Sequence, residues 1–210
     1  MLPVLIIFSR YPEAGRSKTR LIPALGASGA ARLHEDMTRH TLRTAAELAQ
    51  GYPVRVEVHY AGGDEGLMRQ VFGGDFPYLP QAAGDLGQKM RTALEGPLTT
   101  GTDRAAVIGT DCPDLTASRL QQALEALKTR ELVLGPAPDG GYYLIGCRRA
   151  WPQLFADMPW GTEQVWARTL AAAQGLELNP YVLEPLPDVD RPEDLSIWEA
   201  VRRGHGRQRD

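Results

Sequence analysis

The chain has 210 residues, 23 Lys and Arg against 26 Asp and Glu, and a formal net charge of -3. That length admits one large α/β domain with a substantial core, and the mild acidity excludes a protein that coats nucleic acid, which needs an overall basic field. Cys112 and Cys147 stand far apart without metal-ligand spacing, so a reduced, cytoplasmic setting is expected. The first apolar run is too short to span a membrane, and it lacks the charged leader and small-residue cleavage site of a secretory signal.

Residues 3–9 (PVLIIFS) are apolar almost throughout, which predicts a strand buried on both faces. The strand feeds the loop 10–21 (RYPEAGRSKTRL), where Arg10, Arg16, Lys18 and Arg20 place four cations within eleven residues. A buried strand ending in a cationic, glycine-containing loop is a common holder of phosphorylated ligands, the alternative being a solvated basic turn. Residues 28–50 read as a long helix with Leu33, Met37, Leu42 and Leu48 on its apolar side, stopped by Gly51-Tyr52-Pro53. A strand over 54–60, a short helix near 64–72 and a helix over 85–98 follow. Residues 105–109 (AAVIG) form a second fully apolar strand, ending at Thr110-Asp111-Cys112-Pro113. Thr116 then caps a helix through 128. Strands over 131–135 and 142–147 flank the turn Asp139-Gly140-Gly141, followed by a helix over 162–174, a strand over 177–183 and a closing helix over 192–201. One domain over 1–202 and a flexible tail over 203–210 are expected.

Alternating strands and helices imply a mostly parallel sheet wrapped on both faces. Ligands bind such sheets beyond the carboxyl ends of the strands, so the basic loop and Asp111 should meet at one edge. Asp111 is placed to bind Mg²⁺ through a hard carboxylate oxygen, or else serves as a turn aspartate ahead of Pro113. Asp114 is a second ligand or a cap. The segment 187–195 (PDVDRPEDL) carries four carboxylates. Asp190 is the best second ligand there and also a candidate helix N-cap, while Asp188 either suits a turn or joins the metal site. Asp85 and Gln88 have capping-box spacing, Gly84 and Gly87 would let backbone approach a ligand, and Lys89 adds charge. Asp139 and the tyrosines after it suit an acceptor pocket that Trp160-Gly161-Thr162 could close, although Thr162 is also a good N-cap. The histidines do not cluster at zinc-site spacing, and Cys112 has no activating base. Neither a G-x-S-x-G elbow nor a P-loop occurs, since residues 15–19 lack its second glycine.

In order, P-x-x-G-x-x-K-T-R-L, G-D-L-G-x-x-M, T-D-C-P-x-L, D-G-G-Y-Y-L-I-G, W-x-T and D-x-D-x-P-E-D-L cover nearly the whole chain. The set resembles a bacterial family of the nucleotide-diphospho-sugar transferase (GT-A) superfamily, some members of which are described as glycosyltransferases. It is similar to the phospholactate guanylyltransferases and, more distantly, to the molybdenum-cofactor nucleotidyltransferases. The resemblance implies a single-domain α/β GT-A (Rossmann-like) three-layer sandwich with a mostly parallel mixed sheet. It implies that Ser9, Gly15, Arg16, Lys18 and Arg20 hold the nucleotide, with Gly84, Asp85 and Gly87 near its ribose or base. It implies Mg²⁺ or Mn²⁺ on Asp111 and Asp190, and an acceptor facing Asp139, Gly140, Gly141, Tyr142, Trp160 and Thr162. Lys18, Arg20, Asp111 and Asp139 would then be the catalytic groups. Sugar transferases often carry a D-x-D pair, whereas Asp111 stands in D-C-P-D, closer to the nucleotidyltransferase pattern.

Two activities fit. The first is Mg²⁺-dependent transfer of a nucleotidyl group from an NTP to a small phosphorylated or acidic acceptor, releasing pyrophosphate; four loop cations suit a triphosphate. The second is glycosyl transfer from a nucleotide-diphospho-sugar, with Asp139 as base. A nucleotide-binding regulator without turnover is the non-enzymatic alternative. The expected partners are a nucleotide and a small-molecule acceptor, with no nucleic acid, no membrane span, and a homodimer allowed.

Overall fold

A computed structural model of the chain describes residues 1–206. The strands are β1 (Val4–Arg10), β2 (Arg55–Ala61), β3 (Tyr78–Pro80), β4 (Ala105–Ile108), β5 (Leu132–Pro136), β6 (Tyr142–Cys147) and β7 (Tyr181–Val182). The helices are α1 (Ile22–Gly51), α2 (Glu65–Phe72), α3 (Leu86–Thr99), α4 (Ala117–Ala126), α5 (Val165–Gly175) and α6 (Leu195–Gly206). They build one seven-stranded sheet in the order β3-β2-β1-β4-β6-β5-β7. Only β6 runs against its neighbours; β1 pairs in parallel with both β2 and β4. Among the described residues, no helix is long and apolar enough to cross a membrane.

The side chains of β1 alternate between two cores, as a strand covered on both faces must. Leu5 and Ile7 pack with Leu42, Ala45 and Leu48 of α1, Met68 of α2 and Leu124 of α4. Val4 and Ile6 pack with Met90 and Leu94 of α3 and Ala173 of α5. The result is the expected three-layer α/β sandwich. A third cluster joins Leu33 and Met37 of α1 to Val189 and Trp198, fastening the C-terminal segment over the sheet edge.

Four local expectations are corrected. The strand expected over 177–183 shrinks to β7, because Glu177 is left-handed (φ 56°) and the Leu178 N–H donates back to Ala173 O at 2.9 Å, closing α5. The three-residue β3 escaped notice because prolines flank and end it, as an edge strand allows. Thr162 does not cap α5: the helix starts at Val165, and the Thr162 hydroxyl donates to Pro159 O at 2.8 Å. The closing helix begins with a 3₁₀ turn over Pro192–Asp194 and runs to Gly206 rather than to 201; of the tail expected over 203–210, residues 207–210 lie outside the described residues. The long first helix is interrupted at Gly26 (φ 70°, ψ 164°), just ahead of the start expected at Ser28.

Candidate active site

β1 and β4 end at the same edge of the sheet, and β6, running the other way, begins there. The basic loop and Asp111 therefore meet at one edge of the sheet, and the Asp139 turn lies beside them. The last strand, β7, leads into a segment that crosses this edge. The Leu186 N–H donates to Pro136 O at 3.1 Å and the Val189 N–H to Asp111 O at 2.8 Å. This crossing brings Asp188 and Asp190 to the edge on either side of the fully buried Val189. Residues two apart in extended chain face the same way, so the D-x-D spacing is the sequence signal that pairs them. A cleft of about 600 Å³ opens here, and Asp111, Asp139, Asp188 and Asp190 all line it.

The loop after β1 is held by its own hydrogen bonds. The Arg16 and Ser17 N–H groups donate to Glu13 O at 3.0 and 3.1 Å, and the buried Ser17 hydroxyl donates to Tyr11 O at 3.2 Å. Lys18 then takes a left-handed backbone (φ 48°, ψ 48°) that turns its side chain inward. Its side chain is 4 % exposed, lies 2.8 Å from Asp111 Oδ1 and donates to Val189 O. Arg20 forms an ion pair with Asp190, whose hydrogen bond holds the guanidinium above its ordinary pKa. Arg16 pairs with Glu13 on the surface. The loop cations expected to face a ligand are thus largely turned toward the protein's own aspartates. Among the described residues, Arg10 and Lys89 are cations that line the cleft with no ion pair.

Among the described residues, Asp188 has no such partner. Burial first, then the neighbouring charges of Asp139, Asp111 and Asp190, push its carboxyl up to about 6. Asp139 is exposed, and its Oδ1 accepts the Gly141 N–H at 2.8 Å, fixing the β5–β6 turn. Gly140 is left-handed there (φ 88°), and a Cβ would meet Glu163 O at 2.3 Å. Trp160 and Tyr142 line the same end, edge to face with centroids 6.4 Å apart. Asp194, not Asp190, performs the capping expected near Pro192: its Oδ2 accepts the Asp190 and Arg191 N–H groups at 3.1 and 2.7 Å.

The structure brings Ser9, Arg16, Lys18, Arg20, Asp111, Asp139, Gly141, Tyr142, Trp160, Thr162 and Asp190 to one cleft. Ser9 is buried, with its hydroxyl 3.2 Å from Thr38 Oγ1. Gly15, Gly84, Asp85, Gly87 and Gly140 are not among the lining residues. Asp85 caps α3 in a reciprocal box with Gln88, and Gly87 packs under Trp160, where a Cβ would meet Cζ2 at 2.7 Å. Asp114 is exposed on the loop and stays out of the cleft. Cys112 is buried, and burial pushes its thiol well above the ordinary value, as suits packing. Asp188, for which the sequence leaves a turn and a metal-site role open, and Gln81, which no motif singles out, both line the cleft.

No three-residue cage of His, Cys, Asp or Glu for a metal is present among the described residues. The donor set nevertheless fits a hard divalent cation. Such a cation needs only one or two carboxylates when phosphates and water complete its shell, and Asp188 sits among like charges that a cation would relieve.

The family model described as an uncharacterized protein conserved in bacteria (DUF2064) matches residues 43–162, more than half of the chain. The chain belongs to this family. A solved "putative nucleotide-diphospho-sugar transferase" from Desulfovibrio desulfuricans G20 is 30 % identical, covers 91 % of this chain and 84 % of its own, and superposes with a TM-score of 0.84. A CMP:2-keto-3-deoxy-manno-octonic acid synthetase complexed with CTP (14 % identity, 98 % and 100 % covered, TM-score 0.61) shares the fold. So does Rv0371c from Mycobacterium tuberculosis H37Rv in complex with manganese (17 % identity, 94 % and 97 % covered, TM-score 0.57). No curated protein matches the chain. The DUF2064 chain is thus an α/β protein of the GT-A-like class, as its motifs implied.

Proposed function

We propose that this DUF2064 protein is a metal-dependent nucleotidyltransferase that takes a nucleoside triphosphate. An acceptor oxygen forms a bond to the α-phosphorus, the bond to the β-phosphate oxygen breaks, and pyrophosphate leaves with the electron pair. The observation that carries the reading is the meeting of Lys18 and Arg20 with Asp111, Asp188 and Asp190, from three distant segments, in one cleft. The solved synthetase with bound CTP and the manganese complex, which share the fold, lend it support.

Asp111 and Asp190, with Asp188 lining the same cleft, would hold Mg²⁺ or Mn²⁺. When bound, the metal supplies positive charge to the phosphate oxygens. Lys18 and Arg20 keep the aspartates in place, and their charge adds to the field that favours a polyphosphate. Arg10, Lys89 and the weakly paired Arg16 are the cations free to meet phosphate oxygens, because an exposed pair such as Arg16–Glu13 is easily exchanged. Asp139, Gly141, Tyr142, Trp160 and Thr162, with Gly140 behind them, form the acceptor end. A phosphorylated or acidic acceptor would bring its own nucleophilic oxygen, so no protein nucleophile is required. The test is to incubate the protein with Mg²⁺, an NTP mixture and a panel of phosphorylated and carboxylate acceptors. Pyrophosphate formed only with an acceptor present supports the reading; none from any combination, with nucleoside diphosphate released from a nucleotide sugar instead, overturns it.

Glycosyl transfer is the second reading, favoured by the exposed Asp139 carboxylate facing the cleft as a base for an acceptor hydroxyl and by the relative of 30 % identity.

A further inference from the structure

His34, Thr38, His40, Thr41 and Thr44 are all buried on α1, a heavy polar load for the covered side of a helix. Two of them stay within the helix. The Thr41 hydroxyl donates to Met37 O at 3.2 Å and the Thr44 hydroxyl to His40 O at 3.3 Å. The other three reach out to the segments that carry the cleft. His34 Nε2 lies 2.9 Å from Arg10 O at the end of β1, and Thr38 Oγ1 lies 3.2 Å from Ser9 Oγ. His40 Nε2 lies 2.8 Å from Pro113 O, two residues beyond Asp111.

His40 is held from two sides. A carbonyl oxygen only accepts, so Nε2 carries the proton and donates it to Pro113 O. The ring also meets Trp198 of α6 edge to face, with centroids 5.7 Å apart. The loop it grips is tied elsewhere as well, since Asp111 O accepts the Val189 N–H at 2.8 Å. The backbone on either side of Cys112 is thus fastened to two other parts of the fold, residue 111 to the crossing segment and residue 113 to α1. Neither tie uses the Asp111 carboxylate, which stays 46 % exposed at the cleft.

We propose that His40 is a positioning residue for Asp111: through the Pro113 carbonyl it sets where the Asp111 carboxylate stands to meet the cation of a metal-bound nucleotide. The inference rests on the nucleotide reading above. Groups that orient a metal ligand from behind are worth about 10–100-fold in metal affinity, and His40, acting across two residues of backbone, belongs at the lower end of that range.

The experiment compares the parent with His40→Leu, His40→Gln and Thr41→Val. Leucine removes the donor. Glutamine gives up the ring contact with Trp198 just as leucine does, but keeps an amide N–H at a similar reach. Thr41→Val removes a buried hydroxyl whose hydrogen bond stays within the same helix. ATP, CTP, GTP and UTP are titrated calorimetrically with and without Mg²⁺, and urea unfolding is followed for each protein. His40→Leu should lose about tenfold of the Mg²⁺-dependent tightening, whereas His40→Gln and Thr41→Val keep it. If the leucine variant does not fold, His40→Asn takes its place, because its amide stops short of Pro113 O. A folded His40→Leu with the parent's Mg²⁺ gain overturns the proposal. So does an equal loss in His40→Gln, which would take the hydrogen bond out of the explanation, or in Thr41→Val, which would make the effect a general loosening of α1. If no triphosphate binds the parent, or Mg²⁺ adds nothing, the nucleotide reading itself fails and positioning is read from stability. Lys18→Met should then cost less in the His40→Leu background than in the parent, because Asp111 no longer stands opposite Lys18; an equal cost in both overturns the proposal.

Discussion

Replacing Lys18 with Met removes one buried ammonium and keeps most of its apolar stem. The ammonium donates to the carbonyl of Val189, a fully buried residue, and sits 2.8 Å from Asp111 Oδ1. The orphaned carbonyl costs about 1–2 kcal/mol. The lost ion pair would cost more in a sealed interior, but the Asp111 side chain is 46 % exposed and water can rehydrate it, which discounts that loss to about 1 kcal/mol. Lys18→Met should therefore destabilise the fold by about 2–3 kcal/mol, lowering the urea midpoint by about 1 M at the slope usual for chains of this size. A double-mutant cycle with Asp111→Asn should return a coupling of about 1 kcal/mol. Urea unfolding followed by circular dichroism gives both numbers. A stability loss below about 0.5 kcal/mol, the ordinary scale of a surface substitution, with no coupling would refute the assignment of Lys18 as the tie between the loop after β1 and the 188–190 segment.

Three further outcomes follow from the geometry. Gly140→Ala forces a left-handed backbone on a residue whose Cβ would meet Glu163 O at 2.3 Å; a loss of about 2–4 kcal/mol is expected, and an unchanged melting temperature would mean that the turn relaxes freely. Asp85→Ala breaks the reciprocal box with Gln88 at the start of α3 and should cost about 1 kcal/mol in thermal unfolding, whereas Asp114→Ala should cost nothing measurable. His34 is buried, with its Nε2–H donating to Arg10 O at 2.9 Å, and burial holds its pKa below the ordinary value. The unfolded chain binds a proton at this residue from about pH 6.5 downward while the folded chain resists it, so stability is complete above that pH and is lost as the pH falls. Asp188, raised in the fold to about 6, works in the opposite sense, favouring the fold as it takes up a proton below that pH. The difference between parent and His34→Gln melting curves from pH 8 to 5.5 cancels Asp188, and it should show the variant less sensitive to acid; parallel curves would remove His34 from the account.

Much of the fold was legible because its signals are local. The apolar runs at 3–9 and 105–109 could only be strands covered on both faces, and the shared carboxyl edge of β1 and β4 follows from their parallel pairing. The short or irregular pieces were not legible. β3 is three residues long, and the strand expected from 177 is pre-empted by the left-handed closure of α5 at Glu177. In the site, residue types predicted convergence but not partners. Lys18 and Arg20 read as phosphate ligands because they are cations in a loop; that they face Asp111 and Asp190 depends on a segment about 170 residues away folding across the edge. For Asp188 the sequence leaves a turn and a metal-site role open, because the burial and neighbouring carboxylates that raise its pKa are tertiary. Gln81 carried no motif at all, since its hydrogen bonds run to two backbone carbonyls of other strands.

The proposed function requires the aspartates at the sheet edge to hold a metal-bound nucleoside triphosphate. Calorimetric titration of nucleoside triphosphates with and without Mg²⁺, into the parent, Asp111→Asn and Asp188→Asn, tests it most directly. Mg²⁺ should tighten binding to the parent by about tenfold or more, and Asp111→Asn should lose this gain and Asp188→Asn much of it. Equal affinity with and without Mg²⁺, or a gain that survives in Asp111→Asn, would contradict it.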